Sequence, residues 1–181
     1  CQEFIGMLRW AAELGRVDIN HEISLLSQYQ ASPQEGHVEQ IMHTFHHISK
    51  KPKRSLHMDP GAPHIDFSDF NQDASEFKEY YRDAQELMPH RMPQPRGKSV
   101  MTSGWVDASH AANKMTRKSH TGYIIFVNRA PIKWISRRQQ TVETSAFSSE
   151  FIAMKQCIED IEHIRFKLRM FGIPIDTQYP E

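Results

Sequence analysis

The chain has 181 residues, 39% of them hydrophobic, with 22 basic and 22 acidic side chains and a formal charge of zero. That length supports one good core, or two small ones joined by a linker, and the balanced charge means any nucleic-acid surface must be local. No run approaches the ~18 apolar residues of a spanning helix, so no membrane partner is expected. The start, CQEFIGMLRW, has neither a basic n-region nor a small-residue cleavage site, and Cys in place of Met at position 1 reads as a piece of a longer polypeptide. Cys1 and Cys157 lie far apart and form neither a metal-spacing pair nor a disulfide framework, which suits a reducing compartment.

Three helix patterns come first. Phe4, Ile5, Leu8, Ala11 and Ala12 share a face up to Gly15. Ile19, Ile23 and Leu26 follow, with Asp18 as the expected N-cap. Val38, Ile41, Met42, Phe45 and Ile48 follow Pro33, and the third pattern ends at Lys50, Lys51 and Pro52. Residues 1–60 therefore read as a small helical module. Its basic end, Lys50, Lys51, Lys53 and Arg54, is read as a solvated helix terminus favoured by the macrodipole. His37, His43, His46 and His47 include i, i+3 and i+4 spacings, but with no HExxH and no cysteines nearby they are read as exposed histidines rather than zinc ligands.

From Arg54 the pattern changes. RSLHMDP is expected to form one short strand ending in the turn signal Asp59-Pro60-Gly61. Residues 61–99 read as a proline-rich linker in which a helix over Glu76 to Leu87 is conceivable, and Asp66, Asp69 and Asp73 read as solvated carboxylates. At Val100 a second module opens and runs to residue 181. VMTSGWVDA predicts a strand to Asp107; GYIIFVN and APIKWIS predict two more around a hairpin at Asn128-Arg129-Ala130-Pro131. An antiparallel meander is expected. From Ser145 to Phe171, Phe151, Ile152, Met154, Ile158, Ile161, Ile164 and Leu168 recur at helical spacing, and Gly172 and Pro174 supply the stop. The fold class is thus α/β, a small mixed sheet and helix preceded by helices.

Asp107 on a strand and Glu150 in the first turns of the following helix are the chemically informative pair. Each alone is explained blandly, as a strand-end residue and as a charge favoured by the helix dipole. Brought together, two carboxylates form part of a site for a hard divalent cation, the requirement of phosphodiester chemistry. Lys114, Arg117, Lys118 and His120 between the first two strands, with Lys133, Arg137 and Arg138 around the third, interleave with Tyr123 and Trp134 as an expected phosphate-facing patch.

WVDASHA, then RKSHTGYIIFVNRAPIKWISRRQQTVETSAFSSEFIAM, then FGIPID resemble, in order, the ribonuclease H domain of copia-type retrotransposon polyproteins. FIGMLRWAAELGRVDINHEISLLSQYQASPQEGHVEQIMHTFHHISK resembles the thumb and connection region that precedes that domain, after the polymerase palm. The resemblance implies a ribonuclease H-like fold that binds an RNA/DNA hybrid and cuts the RNA strand with Mg²⁺ or Mn²⁺. It implies Asp107 and Glu150 as catalytic metal ligands, the remainder of the reverse transcriptase polyprotein as partner, and an intracellular setting, a cytoplasmic virus-like particle or the nucleus. Two acidic positions often seen in the family are here Ser109 and Ser148. The family's third aspartate lies in an Asp-Asn dipeptide on a fourth strand, parallel and adjacent to the first, and the sequence ends at Glu181 before such a dipeptide. Two of four metal-binding carboxylates are then missing, the first strand keeps an open edge, and a marginal domain is expected. The alternative function is a catalytically dead remnant that at most binds nucleic acid or a partner.

Overall fold

The computed structural model describes residues 1–64 and 90–176. The possible helix at Glu76 to Leu87 and the aspartates at 66, 69 and 73 lie outside the described residues.

Helix α1 (Gln2–Glu13), a 3-10 turn (Val17–Ile19), α2 (Asn20–Ser27) and α3 (Glu35–Lys50) form the helical module. Ile5, Leu8, Ile19, Ile23, Leu26 and Ile41 are buried together, each contributing about 1.5–3 kcal/mol of apolar burial. Asp18 is not a cap. It lies inside the 3-10 turn and accepts from Arg16 at 2.9 Å, with His47 at 3.0 Å and Arg54 at 3.3 Å. The carboxylate thus ties the end of α3 and the chain after it to the α1–α2 connection. His37 accepts from the backbone N–H of Gln34 at 3.0 Å, closing a capping box at the start of α3, and its ring stacks on Tyr29.

Strands β1 (Thr102–Ser109), β2 (His120–Val127) and β3 (Ala130–Arg138) form an antiparallel sheet in the order β1-β2-β3. Asn128 adopts a φ of 54° in the two-residue β2–β3 loop, a conformation that Asn tolerates. Its side chain accepts from the Met101 N–H at 2.9 Å and donates to the Pro60 carbonyl at 2.9 Å. The strand expected over RSLHMDP does not form. Asp59 instead pairs with Arg129 at 3.2 Å and accepts from the Gly61 N–H at 2.8 Å, so this segment docks on the hairpin tip through side chains rather than a backbone ladder.

Helix α4 (Ala146–Met170) is capped by Ser145, whose hydroxyl accepts from the Ser148 N–H at 3.1 Å. It ends in a Schellman arrangement: Gly172, at φ 71°, donates to Arg169 O, and Ile173 donates to Leu168 O. Cys157, Ile161 and Ile164 of α4 pack on Tyr123, Ile125 and Ile135. Gly104 of β1 lies directly beneath, where an added Cβ would stand 2.6 Å from Cys157 Sγ. The Tyr123 hydroxyl donates to Asp160, which also pairs with Lys133 at 2.7 Å.

The opposite face of the sheet carries Trp105, Asp107, His120, Gly122, Ile124, Trp134 and Ser136, by strand alternation and register. The helical module covers its β3 side, and Trp105 and Asp107 of β1 stay exposed. Trp134 Nε1 donates to the Ala12 carbonyl at 3.0 Å, and His21 meets His120 edge to face at 5.0 Å. Gln28 Oε1 accepts from Asn113 at 2.9 Å and Arg138 at 3.2 Å. The described structure is therefore three layers: helices, sheet, helix. Beyond α4 the chain returns to the sheet. Val100 N–H donates to Pro174 O at 2.9 Å and Asp176 N–H to Val100 O at 2.8 Å, a parallel bridge between Val100 and Ile175. The outer edge of β1 is thus paired at its base, a correction to an edge left wholly open.

Candidate nucleic-acid interface and carboxylate pair

One end of the sheet gathers most of the residues singled out above. The first turn of α4 stands over the end of β1, because Ser149 Oγ approaches His110 Nδ1 at 3.4 Å. Gln139 locks this corner from below. Its amide donates to Thr121 Oγ1 at 3.0 Å and to the Ser149 carbonyl at 2.9 Å, and its backbone N–H donates to Ser119 O at 2.8 Å. Ser119, Thr121, Gln139 and Ser149 are all buried, and Gln139 Oε1 has no hydrogen-bond partner among the described residues. This polar plug was not anticipated from sequence, although the run of small hydroxyl residues beside an amide was its only signal.

Glu150 is exposed in the first turns of α4, next to the plug. Asp107 is exposed two residues before the end of β1. The fold brings them to the same end of the sheet but not to the same side. Gly104 and Val106 face α4, since Gly104 lies under Cys157 and Val106 pairs with Tyr123; Asp107 alternates away, toward the helical module. Among the described residues no group of three or more His, Cys, Asp or Glu side chains lies close enough to hold a metal ion. Mg²⁺ takes six oxygens in near-ideal octahedral geometry. Two carboxylates on opposite sides of a strand do not fit that demand, and a centre built on them requires further carboxylates from outside the described residues.

The basic residues divide. Lys114 and Arg117 are exposed and Lys118 half-buried in the β1–β2 loop, which is folded on itself by Asn113, whose side chain accepts from the N–H groups of Met115 and Thr116. Arg138 projects from the same end of the sheet. Lys133 and Arg137, in contrast, point to the α4 side, where Lys133 pairs with Asp160 and Arg137 donates to Gln156 at 3.2 Å. Tyr123 and Trp134 are likewise engaged inside the fold. His120 is no loop residue: it is the first residue of β2, 4% exposed, and bonded to Ser136 at 2.8 Å. Burial, with His21 nearby, pushes its pKa down to about 4. The expected patch is therefore narrower than the sequence suggests, and it consists of Lys114, Arg117, Lys118 and Arg138.

No family model matches the chain, and no solved structure does. The chain is 20% identical over 169 residues, 93% of its length, to the Retrovirus-related Pol polyprotein from transposon RE1 of Arabidopsis thaliana, and spans 9% of that protein. It is 27% identical over 66 residues, 36% of its length, to Secreted RxLR effector protein 161 of Plasmopara viticola, and spans 46% of that protein. Among the described residues no helix is long and apolar enough to cross a membrane.

Proposed function

We propose that this chain is a nucleic-acid-binding segment of a retrotransposon Pol polyprotein, with ribonuclease H-like topology over residues 100–176 and an RNA/DNA hybrid as its ligand. The observation that carries the proposal is the chain path: an antiparallel meander, a long helix over one face, and a return that pairs in parallel beside the first strand at Val100 and Ile175. Likeness to a transposon Pol polyprotein along 93% of the chain supports it.

In this reading Lys114, Arg117, Lys118 and Arg138 hold the phosphates of a duplex laid across the end of the sheet. Gln28 steadies the approach, because its side-chain oxygen joins the loop to Arg138 and fixes both against α2. Asp107 and Glu150, turned to opposite sides of the sheet, do not themselves form a Mg²⁺ or Mn²⁺ centre in this reading. Alone, the segment binds the hybrid and does not cut it.

The test is a labelled RNA/DNA hybrid incubated with the chain and Mg²⁺, read by both gel shift and denaturing gel. A retained, intact hybrid is expected. Cleavage that disappears with Asp107→Asn would replace this reading with that of a complete nuclease, and a hybrid that stays unbound would remove the reading altogether.

A further inference from the structure

Between the helical module and the sheet lies a cleft of about 340 Å³, whose lining includes Asn20, His21, Trp105, Asp107, Gly122 and Ser136. That is the small end of the ~300–1,000 Å³ range of small-molecule sites, room for one ring system and not for a duplex. Its floor is open because Gly122 carries no side chain: a Cβ there would meet nothing nearer than the Asp107 carbonyl oxygen at 3.8 Å. On one flank of this gap, in the register row Asp107–Gly122–Ser136, stands a carboxylate, and on the other a hydroxyl. The neighbouring row carries Trp105, Ile124 and Trp134.

The two indoles have different duties. Trp134 is held by its hydrogen bond to Ala12. Trp105 is 70% exposed although it faces the module, which leaves a large planar surface open beside the Asp107 carboxylate. Residues i and i+2 on one strand face stand about 6.7 Å apart, a spacing at which one ring can contact both Trp105 and the Asp107 carboxylate. A carboxylate is acceptor-only and offers two oxygens to two adjacent donors. Asn20 also lines the cleft, and its side chain carries an amide of the type that donates to a carbonyl.

We propose that this cleft binds an unpaired guanine base, stacked on Trp105, with its N1–H and 2-amino group donating to the Asp107 carboxylate. Guanine is the base that offers two adjacent N–H donors on one edge with a carbonyl next to them. The proposal goes beyond hybrid binding, since it concerns the module-facing side of the sheet and holds whether or not a duplex binds at the sheet end. Charge favours it as well: a carboxylate repels a backbone phosphate, so this site takes the base, while the basic residues at the sheet end take the phosphates.

The experiment titrates the full chain with guanosine, inosine and adenosine, following tryptophan fluorescence. Saturable quenching by guanosine is expected, about tenfold or more weaker with inosine, which lacks the 2-amino donor, and weaker still with adenosine. Asp107→Asn should bring guanosine and inosine to within about threefold of each other, because Asn offers a single acceptor. Gly122→Val fills the floor at a site with space for it and should abolish quenching while the circular dichroism spectrum and urea midpoint stay unchanged. A uridine-rich single strand with one guanine, bound more tightly than guanosine, would assign the base to a nucleic-acid strand; equal affinity would assign it to a free nucleoside, and both support the site. Equal affinity for the three nucleosides, binding that survives Gly122→Val, or tighter binding of agmatine, a guanidinium without a base, would overturn it. Loss of hybrid binding on substitution of Arg117 and Lys118, with guanosine binding intact, would separate failure of one proposal from failure of the other.

Discussion

Replacing Gly104 with alanine tests the packing on which the sheet end depends. The new methyl group would stand 2.6 Å from Cys157 Sγ and 3.0 Å from Ile161 Cδ1. The Ile161 terminus can rotate away. Cys157 has less freedom, because its Sγ is one bond from a Cβ on a rigid helix and the residue is 3% exposed, packed with Tyr123 and Ile125. Overpacking of this kind costs about 1–3 kcal/mol. Alanine also restricts the unfolded chain, which offsets about 0.4–1 kcal/mol. A net loss of about 1–2 kcal/mol is therefore expected in equilibrium urea unfolding with an unchanged slope. Cys157→Ala removes the obstructing sulfur, so the double variant should recover most of that loss, a coupling of about 1–2 kcal/mol between contacting residues. Stability of Gly104→Ala at or above the parent, or strict additivity with Cys157→Ala, would refute the close approach of α4 to β1.

Two further outcomes concern acid and the Asp160 cluster. The hydrogen bond from Arg16, opposed by burial and helped by His47, holds the Asp18 carboxyl well below the usual range; this stability is present above about pH 4 and is lost as pH falls below that, toward the depressed value. His120, with a folded pKa of about 4 against 6.5, resists protonation inside the fold, so its contribution is full above pH 6.5 and is lost as pH falls toward 4. Urea midpoints should decline from pH 6.5 to 4 through His120 and further below about pH 4 through Asp18, with Asp18→Asn flattening only the part below about pH 4; a parent curve flat in either window would contradict the assignment for that window. At Asp160, burial opposes ionisation, but hydrogen bonds from Lys133 and Tyr123 outweigh it and hold the carboxyl low. Tyr123→Phe should cost about 1–2 kcal/mol in the same unfolding assay, and no loss would mean that Lys133 alone satisfies the carboxylate.

Much of this architecture is legible in the residues. Ser145 and Gly172 mark the two ends of α4, and the Asn128-Arg129 turn marks the β2–β3 hairpin, because capping and positive φ are local requirements that particular side chains meet. Docking of the helical module on the sheet is not local, and reading residues 61–99 as a linker left the two modules apart. A signal was nevertheless present. Tyr123, Ile125 and Ile135 alternate with Ile124 and Trp134, so both sheet faces are apolar and both need cover. The same alternation sends Lys133 and Arg137 to the α4 side and Arg138 to the other, and so divides a patch that looked continuous in sequence. Asp107 follows it too: strand parity turns its carboxylate from Glu150 to the module, a fact that spacing in the sequence contains but that only the position of α4 makes legible.

The salt dependence of hybrid binding tests the proposed nucleic-acid surface at the basic end of the sheet most directly. With four cations, Lys114, Arg117, Lys118 and Arg138, on phosphates, log K against log salt should fall with a slope of about −3 to −4, and Arg117→Gln or Lys118→Gln should each reduce it by about 0.9. A slope shallower than about −1, or one unmoved by both substitutions, would contradict it.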